Sequence, residues 1–422
     1  MSVAIIGDFD KDTLYCAGSF TKLLTTFIAL SLLVEKYDLN SILDDDDFLD
    51  SICHNRKSKD FLHLFQKTIG SRFTIRDLCS FYTGLPYTFD LAADEMLSVE
   101  DGNPFKHHAV PDEKSFLKRC HEDITTIFPN RGKFHYSEIA IIFLGYLMEK
   151  VFQVRIEDLF QRFVIDKFQL SASQFARKRP ANVYTQDLSP AYDYPSIAIL
   201  DHGYFCYSNG FYTTLNNMKN LLENLFQEPV FQFMVDVKKA RAASNRLLNG
   251  LTIEMRLVGD DLVYGYEGLS FSGCNIWAYS TKLKQGYLTF VNSEEDAYKI
   301  IYDQALKYTE FDKVPDDSQK IYSHFLKDYH FTDTTRDIPH AYQGRYRRVR
   351  INASELDMVF EIGKNYIVIR NPDEVKYATM YVNNHYHIKG KDNVQGTTVN
   401  LYEAPNGNRY MLFDGTLYQK II

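Results

Sequence analysis

At 422 residues, with 45% hydrophobic and 24% charged residues, the chain is long enough for a large core plus an accessory domain and has the make-up of an ordinary globular protein. A net charge of −8, without a long basic stripe, argues against a general grip on nucleic acid. Six cysteines (Cys16, Cys53, Cys79, Cys120, Cys206 and Cys274) are scattered singly without a C-x-x-C pair, so reduced, buried thiols are expected rather than disulfides or a metal site.

Residues 2–7 read as a short buried strand, followed by an acidic turn. This start lacks the basic and apolar regions of a signal peptide, and no uncharged apolar run reaches membrane-spanning length. The expectation is a soluble protein, cytoplasmic or exported without an N-terminal signal peptide. From Ser19 to about Lys36 no Gly or Pro interrupts a run that is apolar on all sides, which predicts a buried helix ending near Tyr37. The Asp44–Asp47 run reads as a solvated loop. Thr74 with Asp77 three residues on predicts a capped helix stopping at Gly84, and residues 87–127 an irregular cover. Ser137 opens a helix with Ile139, Ile142, Phe143, Tyr146 and Leu147 on one face; a further helix covers about 156–168. Residues 204–213 read as a loop before a helix bearing Met218, Leu221, Leu222 and Leu225. Strands are expected at 252–258, 262–265, 274–280 and 287–291, then a helix capped by Ser293 and ending near Tyr308. Residues 311–340 have linker character, and from Tyr342 alternating strands separated by Gly and Asn turns predict a small barrel or half-barrel. The division is therefore 1–310, a linker at 311–340, and 341–422.

Chemistry concentrates at the first long helix. Ser19 falls in its first turn, with Lys22 three residues on and on the same face. A helix N-terminus suits a serine that must become an alkoxide. A lysine amine held one turn away and partly desolvated is able to lose its proton and act as base. The bland alternative is an N-capping serine beside a solvated lysine. His107-His108 has no other ligand-spaced residues, so no metal is expected, and Asn352-Ala353-Ser354 is a formal glycosylation acceptor only.

Four segments, in order, resemble the serine β-lactamase and D-alanyl-D-alanine peptidase superfamily, specifically its class C-like, penicillin-binding-protein-like and esterase branch. They are DTLYCAGSFTK (12–22), FTIRDLCSFYTGLP (73–86), FPNRGKFHYSEIAIIFLGYLMEKV (128–151) and SNGFYTTLNNMKNLLENL (208–225). The resemblance spans roughly residues 2–308 and implies an α/β (α+β) β-lactamase/transpeptidase-like fold. In that fold an antiparallel sheet is flanked by helices, with a helical subdomain beside it and the site between them. It also implies Ser19 as the acylated nucleophile, Lys22 as base or proton relay, and Tyr136 as the group that passes a proton to the leaving group. The oxyanion hole would come from the Ser19 and Leu269 N–H groups. The C-terminal β region resembles, more weakly, the lipocalin-like module appended to some members.

Two departures touch the site. The family's third motif, a Lys or His followed by a small residue and Gly, becomes Tyr266-Glu267-Gly268, with Gly268 letting substrate lie against the strand. Glu138 replaces an amide expected to touch substrate. A third departure is a short segment before the nucleophile. Together these imply a cofactor-free serine hydrolase or acyltransferase on a small-molecule or peptide ester or amide. Substrate contacts would come from Glu138, Tyr266 and Gly268, and penicillins and D-alanyl peptides would be poor substrates because their carboxylate meets less positive potential. The alternative is a β-lactamase-like binding or scaffold protein whose site has decayed.

Overall fold

A computed structural model describes residues 2–6, 10–69, 72–85, 113–114, 116–117, 134, 136–177, 180, 205–242, 248–258, 261–270, 273–291, 338–348, 359–363, 366–370, 375–382, 386–390, 397–403, 407–413 and 416–421. The helices are α1 (Phe20–Val34), α2 (Leu39–Ile42), α3 (Phe48–Ile52), α4 (Arg56–Ile69), α5 (Ile75–Cys79), α6 (Glu138–Phe152), α7 (Ile156–Phe160), α8 (Cys206–Asn209), α9 (Leu215–Leu225) and α10 (Pro229–Met234). Helix α1 is the hub. Every residue from Phe20 to Leu33 is buried, as its all-round apolar sequence requires, and it packs on α6, α8 and α10 and on the sheet. Two of its buried hydroxyls tie it to neighbouring elements: Thr25 donates to the Tyr207 carbonyl at 2.7 Å, and Thr26 shares a 2.7 Å bond with Thr252.

One sheet runs in the order β1 (Ser2–Ile6), β10 (Gln285–Val291), β9 (Gly273–Ser280), β8 (Asp261–Ser270), β7 (Glu254–Val258), β6 (Leu248–Asn249) and β5 (Arg241–Ala242). All neighbours are antiparallel except β1, which lies parallel to β10 at the edge. A small sheet joins β2 (Tyr15–Cys16), β4 (Phe211–Thr213) and β3 (Gln174–Phe175), in that order. Helices α4 and α6 are joined by phenylalanine. Phe65 stacks on Phe143 at 4.0 Å between ring centroids, with Phe61 and Phe116 around them.

The C-terminal strands β11 (Gly344–Arg348), β12 (Val359–Ile362), β13 (Tyr366–Arg370), β14 (Val375–Val382), β15 (Tyr386–Gly390), β16 (Thr397–Glu403), β17 (Arg409–Phe413) and β18 (Thr416–Lys420) form a closed antiparallel barrel, β18 pairing back to β11. Closure leaves no open edge.

Four local expectations are corrected. Helix α5 has the expected capping box but ends at Cys79, not Gly84: the Tyr82 N–H bonds the Asp77 carbonyl across Phe81, whose φ is 61°. Residues 204–213 contain α8 and β4. Strand β8 continues five residues beyond Gly265, to Ser270. The Asp44–Asp47 run is pinned, not merely solvated: Asp44 takes a bidentate bond from Arg76 at 2.6 and 2.7 Å. Cys16, Cys53, Cys79 and Cys206 are buried free thiols, as expected. The expected irregular cover at 87–127 apart from four residues, the helix at 293–308, nearly all of the linker, His107-His108 and Asn352–Ser354 lie outside the described residues. Among the described residues no helix is long and apolar enough to cross a membrane, and no cluster of metal-ligating side chains occurs.

Candidate active site

The turn into α1 is built to present Ser19. Gly18 has φ 56°, a backbone shape that L residues avoid. Three successive short-range bonds then wind the helix start: Phe20 N–H to Ala17 O, Thr21 to Gly18 and Lys22 to Ser19. They do not consume the Ser19 N–H. Nor does the Ser19 hydroxyl cap the helix. It accepts from Lys22 Nζ at 2.8 Å instead, so the capping alternative fails on geometry.

Two neighbours clamp the segment leading into this turn. The Ala17 N–H bonds the Phe211 carbonyl of β4 at 2.9 Å, and the Phe211 N–H bonds Thr21 Oγ1 at 3.1 Å. On the other side lies the end of β8. Its partner β7 stops opposite Gly265, so residues 266–270 run on beyond it. There Ser270 Oγ donates to the Cys16 carbonyl at 2.8 Å, and Asn275 Nδ2 from β9 donates to both Ala17 O and Gly268 O. A Cβ on Gly268 would sit 2.0 Å from the Ala17 carbonyl oxygen. The glycine expected to make room for substrate makes room for the nucleophile's own backbone.

Tyr136 precedes Ser137, which caps α6 by accepting from the Ala140 N–H at 3.1 Å. Its ring tilts against Phe81 at 4.9 Å between centroids, and Lys22 Nζ stands 5.2 Å from its ring centre. Its hydroxyl accepts a long, 3.4 Å bond from Tyr266, and the neighbouring Ser19 side chain pulls its pKa down. Burial of that hydroxyl raises the Tyr136 pKa above the usual phenol value, against the lowering by Ser19 and Tyr266. Tyr266, 4% exposed, is also held well above the usual phenol value, by burial first and then by Tyr136. Ser19, Lys22, Tyr136 and Tyr266 therefore form one contiguous group. Leu269 lies in β8 between the two residues that touch Cys16 and Ala17.

Glu138 differs from expectation. Its Oε1 is spent on Lys22 Nζ at 2.9 Å and on Asn209 Nδ2 at 2.9 Å, not held out for substrate. One position past the N-cap, the first turn of α6 aims this side chain at α1, and a fully buried lysine requires such a partner. Asn209, the last residue of α8, was not singled out from the sequence; the Ser-Asn-Gly opening the fourth segment was the signal available. Phe81 was likewise missed, because its role depends on the positive φ that turns it onto Tyr136.

A sheet with a buried helix behind it, and a Ser-x-x-K turn seated between β8 and α6, define a serine β-lactamase and penicillin-binding-protein type of protein. The family model described as Beta-lactamase matches residues 6–280, and the chain belongs to that family. No curated protein sequence matches the chain. Among solved structures it is similar to the octameric penicillin-binding protein homologue from Pyrococcus abyssi, at 15% identity and TM-score 0.53, over 97% of this chain and 89% of that one. It is also similar to SurE, at 14% identity and TM-score 0.58, over 98% and 88%. A third likeness is to a D-stereospecific amidohydrolase from Streptomyces sp., at 17% identity and TM-score 0.51, over 70% and 87%.

Proposed function

We propose that the chain is a serine hydrolase or acyltransferase that forms an acyl-enzyme on Ser19 from an ester or amide. The observation that carries this reading is the Ser19 hydroxyl bonded to Lys22 instead of capping its helix, with Lys22 Nζ lying 5.2 Å from the Tyr136 ring centre. In the proposed reaction Ser19 Oγ attacks the carbonyl carbon, and the developing oxyanion lies against the Ser19 and Leu269 N–H groups. Tyr136, kept protonated by burial, hands its proton to the leaving group as the carbon–leaving-group bond breaks, and recovers one from the Ser19 side. Water, or an acceptor nucleophile, then releases the acyl group and restores Ser19. An amide carbonyl is also what the name of the Streptomyces neighbour implies for that protein.

The charges favour an uncharged or cationic substrate. A phenol, Tyr266, stands where the resemblance expects a cation, and the charge of Lys22 is already matched by Glu138. An uncharged short-chain aryl ester should therefore turn over faster than a cephalosporin. Tyr266→Lys should shift that ratio towards the anion by roughly fivefold, the effect of about 1 kcal/mol from one partly screened charge. A ratio that favours the cephalosporin in the unaltered chain would refute the substrate class. The missing cation also supports a second reading, a binding or scaffold protein; it takes over if ester turnover is absent or survives Ser19→Ala.

A further inference from the structure

Lys22 is fully buried, at 0% exposure, and Glu138 nearly so, at 7%. The amine lies in the first turn of α1, the carboxylate in the first turn of α6, and Asn209 closes α8, so three elements meet on one ion pair. Asn209 Nδ2 also donates to Ser208 Oγ at 2.8 Å, which fixes the amide that fixes Glu138. A buried amine at hydrogen-bond distance from a buried carboxylate keeps its proton, because losing it would strand an uncompensated carboxylate in the interior. An ammonium has three donors and no lone pair. In that state Lys22 donates to Ser19 Oγ and has nowhere to accept the Ser19 proton.

We propose that Glu138, fixed by Asn209, is a positioning residue that holds Lys22 as a resting ammonium, so that acylation of Ser19 begins only after the Ser19–Lys22–Glu138–Tyr136 network has lost one proton to solvent. This rests on Ser19 being the nucleophile. After that loss the Lys22 amine takes the hydroxyl proton as Ser19 Oγ bonds the carbonyl carbon. The proton then leaves through Tyr136 with the departing group, so protons balance over the step. Other titratable groups face the pair. The Cys16 thiol, in the segment before α1, is pushed up to about 12 by burial and stays neutral. Tyr136 and, behind it, Tyr266 on β8 are raised by burial; Glu267 on β8 acts on both, and Glu254 on β7 acts on Tyr266. Glu138 is the carboxylate in contact with the ammonium.

The test is the rate at which a fluorophosphonate probe modifies Ser19 in the full chain across pH, in the unaltered protein, Glu138→Gln and Glu138→Asp. Glu138→Gln should move the half-maximal pH down by about one to three units, the usual effect of removing an opposite charge in contact. Glu138→Asp, which keeps the charge, should restore the original limb. An unmoved limb in a folded Glu138→Gln protein overturns the proposal. A second readout needs no reactivity and no altered Glu138: 13C NMR of lysine Cε, with the Lys22 signal assigned through Lys22→Arg. That signal should keep ammonium character through neutral pH, and a neutral amine at pH 7 overturns the proposal even if Glu138→Gln fails to fold. Absence of labelling at every pH would instead refute Ser19 as nucleophile, and the NMR signal would then decide the ion pair alone.

Discussion

Adding one methyl group at Gly268 should disable the nucleophile without touching it. A Cβ there would lie 2.0 Å from the Ala17 carbonyl oxygen and 2.8 Å from Asn275 Nδ2, and real Cβ contacts essentially never fall below 3.0 Å. The carbonyl and the strand must therefore separate by at least about 1 Å, the difference between those two distances. Ala17 has little freedom to retreat, because its carbonyl accepts from Asn275 and from the Phe20 N–H while its own N–H is bound to Phe211. Overpacking of this kind costs about 1–3 kcal/mol. A displacement near 1 Å in the turn that carries Ser19 costs on the order of a hundredfold in rate. The assay is fluorophosphonate labelling of Ser19 alongside chemical denaturation of Gly268→Ala, with Gly265→Ala as control. At Gly265 the atoms nearest a new Cβ are the Trp277 carbonyl oxygen at 3.0 Å and then Ala278 of β9 at 3.8 Å, so its effect on labelling should be small. Equal labelling rates in the two variants would refute the claim that Gly268 exists to seat the turn.

Two further outcomes follow from single features. Thr74→Ala removes one half of the capping box on α5, in which Thr74 Oγ1 accepts from the Asp77 N–H at 3.0 Å, and should lower unfolding free energy by about 1 kcal/mol in denaturant titration. Burial raises the thiols of Cys16 to about 12 and Cys53 to about 11 from an ordinary 9.0. Below pH 9 both folded and unfolded chains keep these protons and the thiols add no pH dependence; above it the unfolded chain ionises first. Stability should therefore fall from about pH 9 towards 12, and melting temperatures across that range should drop less steeply in Cys16→Ala.

The parts of this molecule that were legible in the sequence are those set by near neighbours. The Thr74–Asp77 capping box, the Ser137 cap and the apolar hub helix each depend on residues within one or two turns. The pairing of Ser19 with Lys22 is of the same kind, three residues apart. What the sequence hid is long-range. Lys22 and Glu138 are 116 residues apart, and Asn209 and Glu138 are 71 apart. Nothing local to position 138 tells a carboxylate that faces substrate from one that neutralises a buried lysine. Gly265 reads as the end of a strand because glycine commonly marks turns, yet here the missing side chain lets another backbone approach, and β8 runs on. The helix α8 and strand β4 are four and three residues long, too short to show a period, and are held in place by contacts with the nucleophile's turn.

The central claim is that Ser19 attacks the substrate carbonyl, and covalent capture tests it most directly. The full chain is treated with a fluorophosphonate probe at alkaline pH and the modified residue is mapped by peptide mass spectrometry. A single adduct on Ser19 is expected, absent in Ser19→Ala and slowed in Lys22→Ala and Tyr136→Phe. Ester turnover that persists in Ser19→Ala, or an adduct mapped to another residue, would contradict it.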